Sequence, residues 1–397
     1  MKITRKTNRV YTQTILLTET ENLPKVKFFL DSLESEGTRR IYRIGLAYVE
    51  TFLQSTEKGN LDTIIKPMLA NKIDRYTLVQ EFINYLKKHN SNLSARSIRG
   101  YLSALKSYLA NSRIYFIPQE YKSTVREPKV LREEETAVDQ SDIRKILLNS
   151  SSKRLTAFLM VLASGGCRAK EALSIRLLDC DFSSSPTKIS LLAKNTKTGV
   201  ARYFFISDEA TKYLKSWIDF KYRPRDREEH NIVRHETDYV FAVYNTYDTA
   251  LYGMYKTLND EFNVILKSLK MDERKEGMIR RRITFHSLRR FVKSTVSDYD
   301  SNFSEWLLGH EHSTYWTKKP EVKRQKYLEC MKYLQFLDYE PLEKMGKDIE
   351  SKLREKDEEI RLLRNDLDSL HEANSWLDKD ALKEMVEEFR RKKENPS

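Results

Sequence analysis

Six side chains of this sequence are of types that could act together on a phosphodiester: Arg168, Lys197, His286, Arg289, His310 and Tyr315. Arg168 lies in the stretch Ser164-Gly165-Gly166-Cys167-Arg168-Ala169-Lys170-Glu171-Ala172-Leu173-Ser174-Ile175-Arg176-Leu177-Leu178-Asp179. Its two glycines break an apolar run of Phe158, Leu159, Val161 and Leu162, and helical spacing resumes with Glu171, Leu173 and Leu177. The pattern predicts Arg168 at the start of a helix, where a guanidinium can grip phosphate with a bidentate fork. His286 and Arg289 are three residues apart, so a helix would set both on one face. Two arginines, two histidines and a lysine would suit a pocket in which negative charge builds up. Each piece also has a plainer reading: Arg-x-x-Glu as a solvated helix start, Lys197 as a turn lysine, His310 as a helix C-terminal histidine.

The elements that must position these groups are mainly helical. Residues 1–26 are polar, with a short β-like run of Val10, Tyr11, Ile15, Leu16 and Leu17, and read as an arm. Thr38 is expected to cap a helix reaching about Thr56, with Ile41, Ile44 or Gly45, Tyr48 and Phe52 on its apolar face. Leu78–His89 and Ser94–Ser112 repeat the pattern, the second with Arg96, Arg99 and Lys106 on its polar side. Residues 27–118 thus read as an all-helical domain able to lay basic helices on a phosphate backbone. Residues 119–137 have linker composition, charged and interrupted by Pro128. A second domain, 138–342, opens with a cap near Asp139. In it Ile189–Leu192 and Tyr203–Ile206 flank Lys194-Asn195-Thr196-Lys197-Thr198-Gly199-Val200 as a β-hairpin.

The tail, 343–397, is different. Ile349, Lys356, Leu363, Leu370 and Leu377 occupy one heptad position, and Leu353, Ile360, Leu367 and Asn374 the other, which predicts a self-associating coiled coil. A lone amphipathic helix folded back on the body is the alternative. Leu382, Met385, Val386 and Phe389 suggest a short final amphipathic helix.

The formal charge of +13 is uneven: residues 1–342 carry 58 Lys and Arg against 42 Asp and Glu (+16), and 343–397 carry 13 against 16 (−3). A basic body with a mildly acidic tail points to a polyanion as partner of the body. No apolar run approaches the roughly 18 residues a bilayer span needs, and there is no signal-peptide pattern. The three cysteines, Cys167, Cys180 and Cys330, lack metal-ligand spacing. We therefore expect a cytoplasmic, nucleoid-associated protein without disulfide, metal or cofactor.

Four strings in order resemble the tyrosine recombinase (phage integrase) family. Gly-Cys-Arg-Ala-Lys-Glu-Ala-Leu-Ser-Ile-Arg-Leu-Leu-Asp resembles its first arginine box, with Glu171 three and Asp179 eleven residues after Arg168. Thr196-Lys197-Thr198-Gly199 resembles its lysine hairpin, His286-Ser287-Leu288-Arg289-Arg290 its His-x-Leu-Arg box, and Leu308-Gly309-His310 its Leu-Gly-His box. The resemblance covers roughly residues 30–340, and the end looks like that of archaeal-type integrases. It implies a two-lobed C-clamp, with a helical core-binding (SAM-like) domain, a mixed α/β catalytic domain and the coiled-coil tail. Arg168 and Arg289 would hold the scissile phosphate, aided by His286 and His310, and Lys197 would protonate the departing 5′-oxygen. A tyrosine would attack to give a 3′-phosphotyrosyl link, without ATP or metal.

The nucleophile departs from the family pattern. The usual position, about nine residues beyond the Leu-Gly-His histidine, is Lys319. Tyr315 follows a Ser-Thr pair that resembles the family's approach to its nucleophile, and we favour it. Tyr327 is the rival, while Tyr333 and Tyr339 look like packing residues. Lys197 is favoured over Lys194 because the Thr-Gly turn follows it. The resemblance implies double-stranded DNA as partner, a tetramer on paired sites, and integration or excision of a mobile element. Alternatives are a chromosome or plasmid dimer resolvase, a DNA-relaxing topoisomerase, and a catalytically silent DNA-binding protein. Retention of the whole cation set argues against the silent protein, since clustered like charges are costly to keep unused.

Overall fold

A computed structural model describes residues 17–90, 93–130, 137–227, 230–243, 251–274, 281–310, 316–337, 339–375 and 379–394. The chain forms two compact units, Met1–Glu135 with Arg274–Arg281, and Thr136–Glu273 with Arg282–Ser397. It is mainly helical with one small sheet.

The first unit is built from α1 (Pro24–Asp31), α2 (Glu36–Ser55), α3 (Ile65–Leu69), α4 (Arg75–His89), α5 (Ala95–Asn111) and α6 (Pro118–Thr124). Each long helix starts at a side-chain cap that accepts a backbone N–H of the first turn: Ser35 for α2, Asp74 for α4, Ser94 for α5. The α2 cap is thus Ser35, and Thr38 supplies the N–H that it accepts. Of the apolar face expected for α2, Gly45 and Phe52 are buried, Ile44 and Tyr48 are half-buried and Ile41 is 51% exposed, while Leu46, Val49 and Leu53, which the expectation did not include, complete the core. Leu17 lies in a helical turn rather than a strand, and the rest of the β-like run falls outside the described residues. Much of the segment read as linker is structured: α6 runs through it and Val125 is buried. There Glu127 takes Arg99 at 3.1 Å and Lys106 at 3.2 Å, so two of the three cations expected on phosphate are ion-paired.

In the second unit α7 (Gln140–Leu148) starts at Asp139, whose carboxylate and that of Asp142 cap each other's backbone N–H groups. The central helix α8 (Lys153–Gly165) is buried from Arg154 through Gly165. Around it pack the sheet and α10 (Asp208–Lys221) and, beyond α11 (Leu251–Ser268), α12 (Phe285–Tyr299). The sheet is antiparallel in the order β1 (Cys180–Asp181), β2 (Thr187–Leu191), β3 (Arg202–Ile206), with Ile189 opposite Phe204 and Leu191 opposite Arg202. The hairpin is therefore as expected, while β1 is too short to have left a pattern. Helices α13 (Ser301–Leu308) and α14 (Pro320–Met331) follow, then α15 (Tyr339–Ser375) and α16 (Lys379–Glu394). The three cysteines are free thiols. No described helix is long and apolar enough to cross a membrane.

Candidate phosphodiester site

Helix α8 ends because Gly166 turns left-handed, with φ +64°, and closes the last turn through its N–H to Leu162 O. A side chain there would also collide with Val292 of α12, whose Cγ1 would lie 2.9 Å from the new Cβ. The chain leaves extended, and Arg168 becomes the first flanking residue of the short helix α9 (Ala169–Leu173), as the sequence predicts.

Glu171 fixes that arginine. Its side chain is 2% exposed, with Oε1 accepting Arg168 Nη1 at 2.8 Å and Oε2 accepting Arg168 N at 2.9 Å. Oε2 also accepts Arg202 Nη2 at 2.8 Å. Burial pushes the Glu171 carboxyl up, but the Arg202 charge and the bonds from Arg168 and Arg202 outweigh it and hold the carboxyl below its ordinary value. Asp179 has a humbler place: its Oδ2 accepts Arg176 N at 2.9 Å and closes the turn Leu177–Asp179.

Arg289, on α12, is 3% exposed and donates Nη1 to Gly166 O at 2.7 Å. Its Nη2 is buried with no hydrogen-bond partner among the described residues. Burial and then the nearby Arg168 charge lower its pKa to about 10. The same glycine turn that releases Arg168 therefore anchors Arg289. His286 lies one turn earlier and is exposed, so the two do share the start of α12 but not its burial.

The Leu-Gly-His string ends α13. Gly309 has φ +67°, and His310 N donates to Glu305 O at 3.1 Å. His310 Nδ1 is bonded to the Glu305 carboxylate, which also takes the Lys293 ammonium. His310 is thus both a helix C-terminal histidine and a ring oriented by an acid.

Arg202 was not foreseen. From β3, five residues after Lys197, it donates Nη1 to Leu307 O at 2.9 Å while Nη2 holds Glu171. A Cβ on Gly309 would stand 2.4 Å from its Nε, so the glycine of Leu-Gly-His makes room for this guanidinium. The only sequence signal was a cation at the head of an otherwise aromatic strand, Arg202-Tyr203-Phe204-Phe205-Ile206.

The structure thus brings together Arg168, Arg289 and, through Arg202, the turn before His310. Lys197 is exposed in the hairpin loop, and Lys194 is exposed in the turn Ala193–Asn195, so exposure does not separate them. Tyr315 lies outside the described residues. Tyr327 is 0% exposed and donates its hydroxyl to Ser164 O at 3.0 Å, with burial raising its pKa well above that of a free phenol. A phenol sealed in the core and bound to a helix carbonyl stands as a packing group would in this structure. Tyr333, read as packing, is 48% exposed beside Lys332.

A carboxylate-braced arginine cluster with a buried, unpartnered guanidinium nitrogen is suited to an anion such as a phosphodiester. Comparison with known families specifies the class: residues 133–316 match the phage integrase family and residues 27–113 its SAM-like domain. The chain belongs to the phage integrase family of tyrosine recombinases. It is 27% identical over 282 residues to a protein named "Probable integrase/recombinase" of Methanocaldococcus jannaschii, covering 68% of this chain and 78% of that one. It is 25% identical over 320 residues to the "Probable integrase/recombinase" of Acholeplasma phage L2, covering 78% and 94%. The solved Tn1549 transposon integrase in complex with transposon right end DNA aligns at 14% identity and a TM-score of 0.46, covering 77% of this chain and 97% of that one.

Proposed function

We propose that this protein is a site-specific recombinase that cuts and rejoins duplex DNA through a 3′-phosphotyrosyl intermediate, in the integration or excision of a mobile element. The observation that carries the reading is the pairing of Arg168 with Arg289. One is braced by Glu171, the other by Gly166 O, and Arg289 keeps a buried Nη2 with no partner among the described residues. Buried N–H donors are almost always satisfied, so an orphan guanidinium arm beside another guanidinium calls for an anion. A non-bridging phosphate oxygen supplies it.

In this reading Arg168 and Arg289 bind the scissile phosphate and stabilise the charge that grows on it, each worth about 10²–10³ in rate by analogy with other oxyanion donors. His310, held by Glu305 through Nδ1, meets the phosphate with its other ring nitrogen, as a donor when both ring nitrogens carry protons. His286 assists proton transfer from the exposed start of α12. Lys197 protonates the 5′-oxygen as the P–O bond breaks and the tyrosine oxygen bonds to phosphorus. Tyr315 is that tyrosine. The helical unit and the catalytic unit form a two-lobed clamp on the duplex, four chains act on paired sites, and the tail self-associates as a coiled coil. Chemistry of this kind conserves the bond energy in the phosphotyrosyl ester and needs no metal.

Trapping of covalent adducts on nicked duplexes, taken from a randomised pool selected for binding, tests the reading. Wild type and Tyr327→Phe should give an SDS-resistant protein–DNA adduct, and Tyr315→Phe none. Binding without any adduct would leave a silent DNA-binding protein, and an adduct from Tyr315→Phe would move the nucleophile elsewhere.

A further inference from the structure

Every described side chain from 351 to 369 on α15 is exposed, including Leu353 at 57%, Ile360 at 48%, Leu363 at 60% and Leu367 at 57%. At about 1.5 Å per residue this 37-residue helix is roughly 55 Å long, and its apolar stripe faces solvent along the middle. Such a stripe on a polar helix requires a cover.

Resting on the self-association of the tail proposed above, we infer that the cover is the same helix of a second copy of this chain, in parallel and in register. The spacing makes Leu353, Ile360, Leu367 and Asn374 the a positions of a heptad, and Ile349, Lys356, Leu363 and Leu370 the d positions. The flanking g positions are then Lys352, Glu359 and Asp366, and the e positions Asp357, Arg364 and His371. In a parallel pair each g side chain meets the e side chain five residues on in the other helix. That sets Lys352 against Asp357, Glu359 against Arg364 and Asp366 against His371, three opposite or hydrogen-bonding pairs with no like-charge pair among them. An antiparallel pair overlapping the same span would set Glu359 against its own copy. Asn374 at an a position meets its own copy only in the parallel arrangement, where an asparagine pair favours two strands. Lys356 is a flaw at d: two ammonium groups flank the core, and an ion pair with Glu359 of the same helix holds each.

This surface makes no use of the DNA site, so it is tested on the full-length chain without DNA, by sedimentation equilibrium near 0.15 M salt. Wild type should be a dimer. Glu359→Lys alone and Arg364→Glu alone each turn attraction into repulsion in both symmetric copies and should weaken the dimer roughly tenfold. The double exchange should restore most of it, less the Lys356–Glu359 pair that it also removes, and mixing the two single variants should give a heterodimer stronger than either single variant alone. Glu359 and Arg364 are both exposed, so the fold is unaffected. Lys356→Leu should tighten the dimer at least tenfold. Leu353→Cys should form a disulfide with its own copy under mild oxidation, wild type with its native cysteines serving as control.

A monomeric or trimeric wild type, or a dimer indifferent to Glu359→Lys and Arg364→Glu, would overturn the inference. So would a dimer in which Leu353→Cys does not link to itself, since that places the helices antiparallel. Restoration on mixing is the decisive outcome, because a foreign partner would not produce it.

Discussion

Arg202→Met is the substitution that interrogates the site most directly. Glu171 and Arg202 form an ion pair with side chains 2% and 10% exposed, and removal of one member of such a pair leaves the other charge without its neighbour. The usual cost is about 3–5 kcal/mol. Arg168 still binds Glu171 from a position 26% exposed, which places the loss near the lower end, about 3 kcal/mol at pH 7, with the lost bond to Leu307 O included. For a unit of this size that corresponds to a fall in Tm of about 6–12 °C by calorimetry. The pH dependence supplies the sharper check. In wild type the Glu171 pKa is depressed, so its contribution is present above the unfolded value and fades as pH falls through the folded one. Without Arg202, burial dominates and the carboxyl sits higher, so protonation relieves the variant first. The deficit should therefore shrink between pH 7 and about pH 4. A deficit below about 1 kcal/mol, or one unchanged over that range, would refute an ionised Glu171 as the hub. Arg202→Lys, a single point charge that reaches either Glu171 or Leu307 O but not both, should fall between.

Gly309→Ala should cost about 2 kcal/mol or more, since φ +67° alone disfavours alanine by about 1–2 kcal/mol and the new Cβ displaces Arg202. In an Arg202→Ala background the cost should drop toward the backbone part, measured by urea unfolding. Lys221 is buried on Tyr239 O at 2.9 Å, and burial lowers its pKa to about 8. Between about pH 8 and pH 10 the unfolded chain therefore binds the extra proton, and stability rises with pH. Lys221→Met should remove that rise, as read by urea midpoints at pH 7.5 and 10.

What the sequence could convey was local. The Gly165-Gly166 break put Arg168 at a helix start, three-residue spacing put His286 and Arg289 on one helix, and Ser94 and Asp139 marked helix beginnings. The remainder depends on pairs far apart in the chain. Arg202 and Glu171 are separated by 31 residues, Arg202 and Leu307 by 105, Arg289 and Gly166 by 123. No periodicity carries such pairs. Composition is silent on tertiary packing: in the charged segment after Gln119, neither the burial of Val125 nor the capture of Arg99 and Lys106 by Glu127 leaves a mark on the sequence.

The site's charge balance explains why so much structure surrounds so few groups. Arg168, Arg202 and Arg289 gather about one carboxylate, Glu171, and the low pKa of Arg289, about 10, expresses burial and the neighbouring cations together. Full neutralisation would leave nothing for a phosphate to do, and three bare guanidinium groups would repel one another out of position. One shared glutamate resolves the conflict: Oε1 takes Arg168, Oε2 takes Arg202, and Arg289 is held by a peptide carbonyl instead. The cluster keeps its geometry and an excess of positive charge at once. In the proposed reading an arriving phosphodiester meets donors already in place, and binding it relieves the repulsion among the three guanidinium groups.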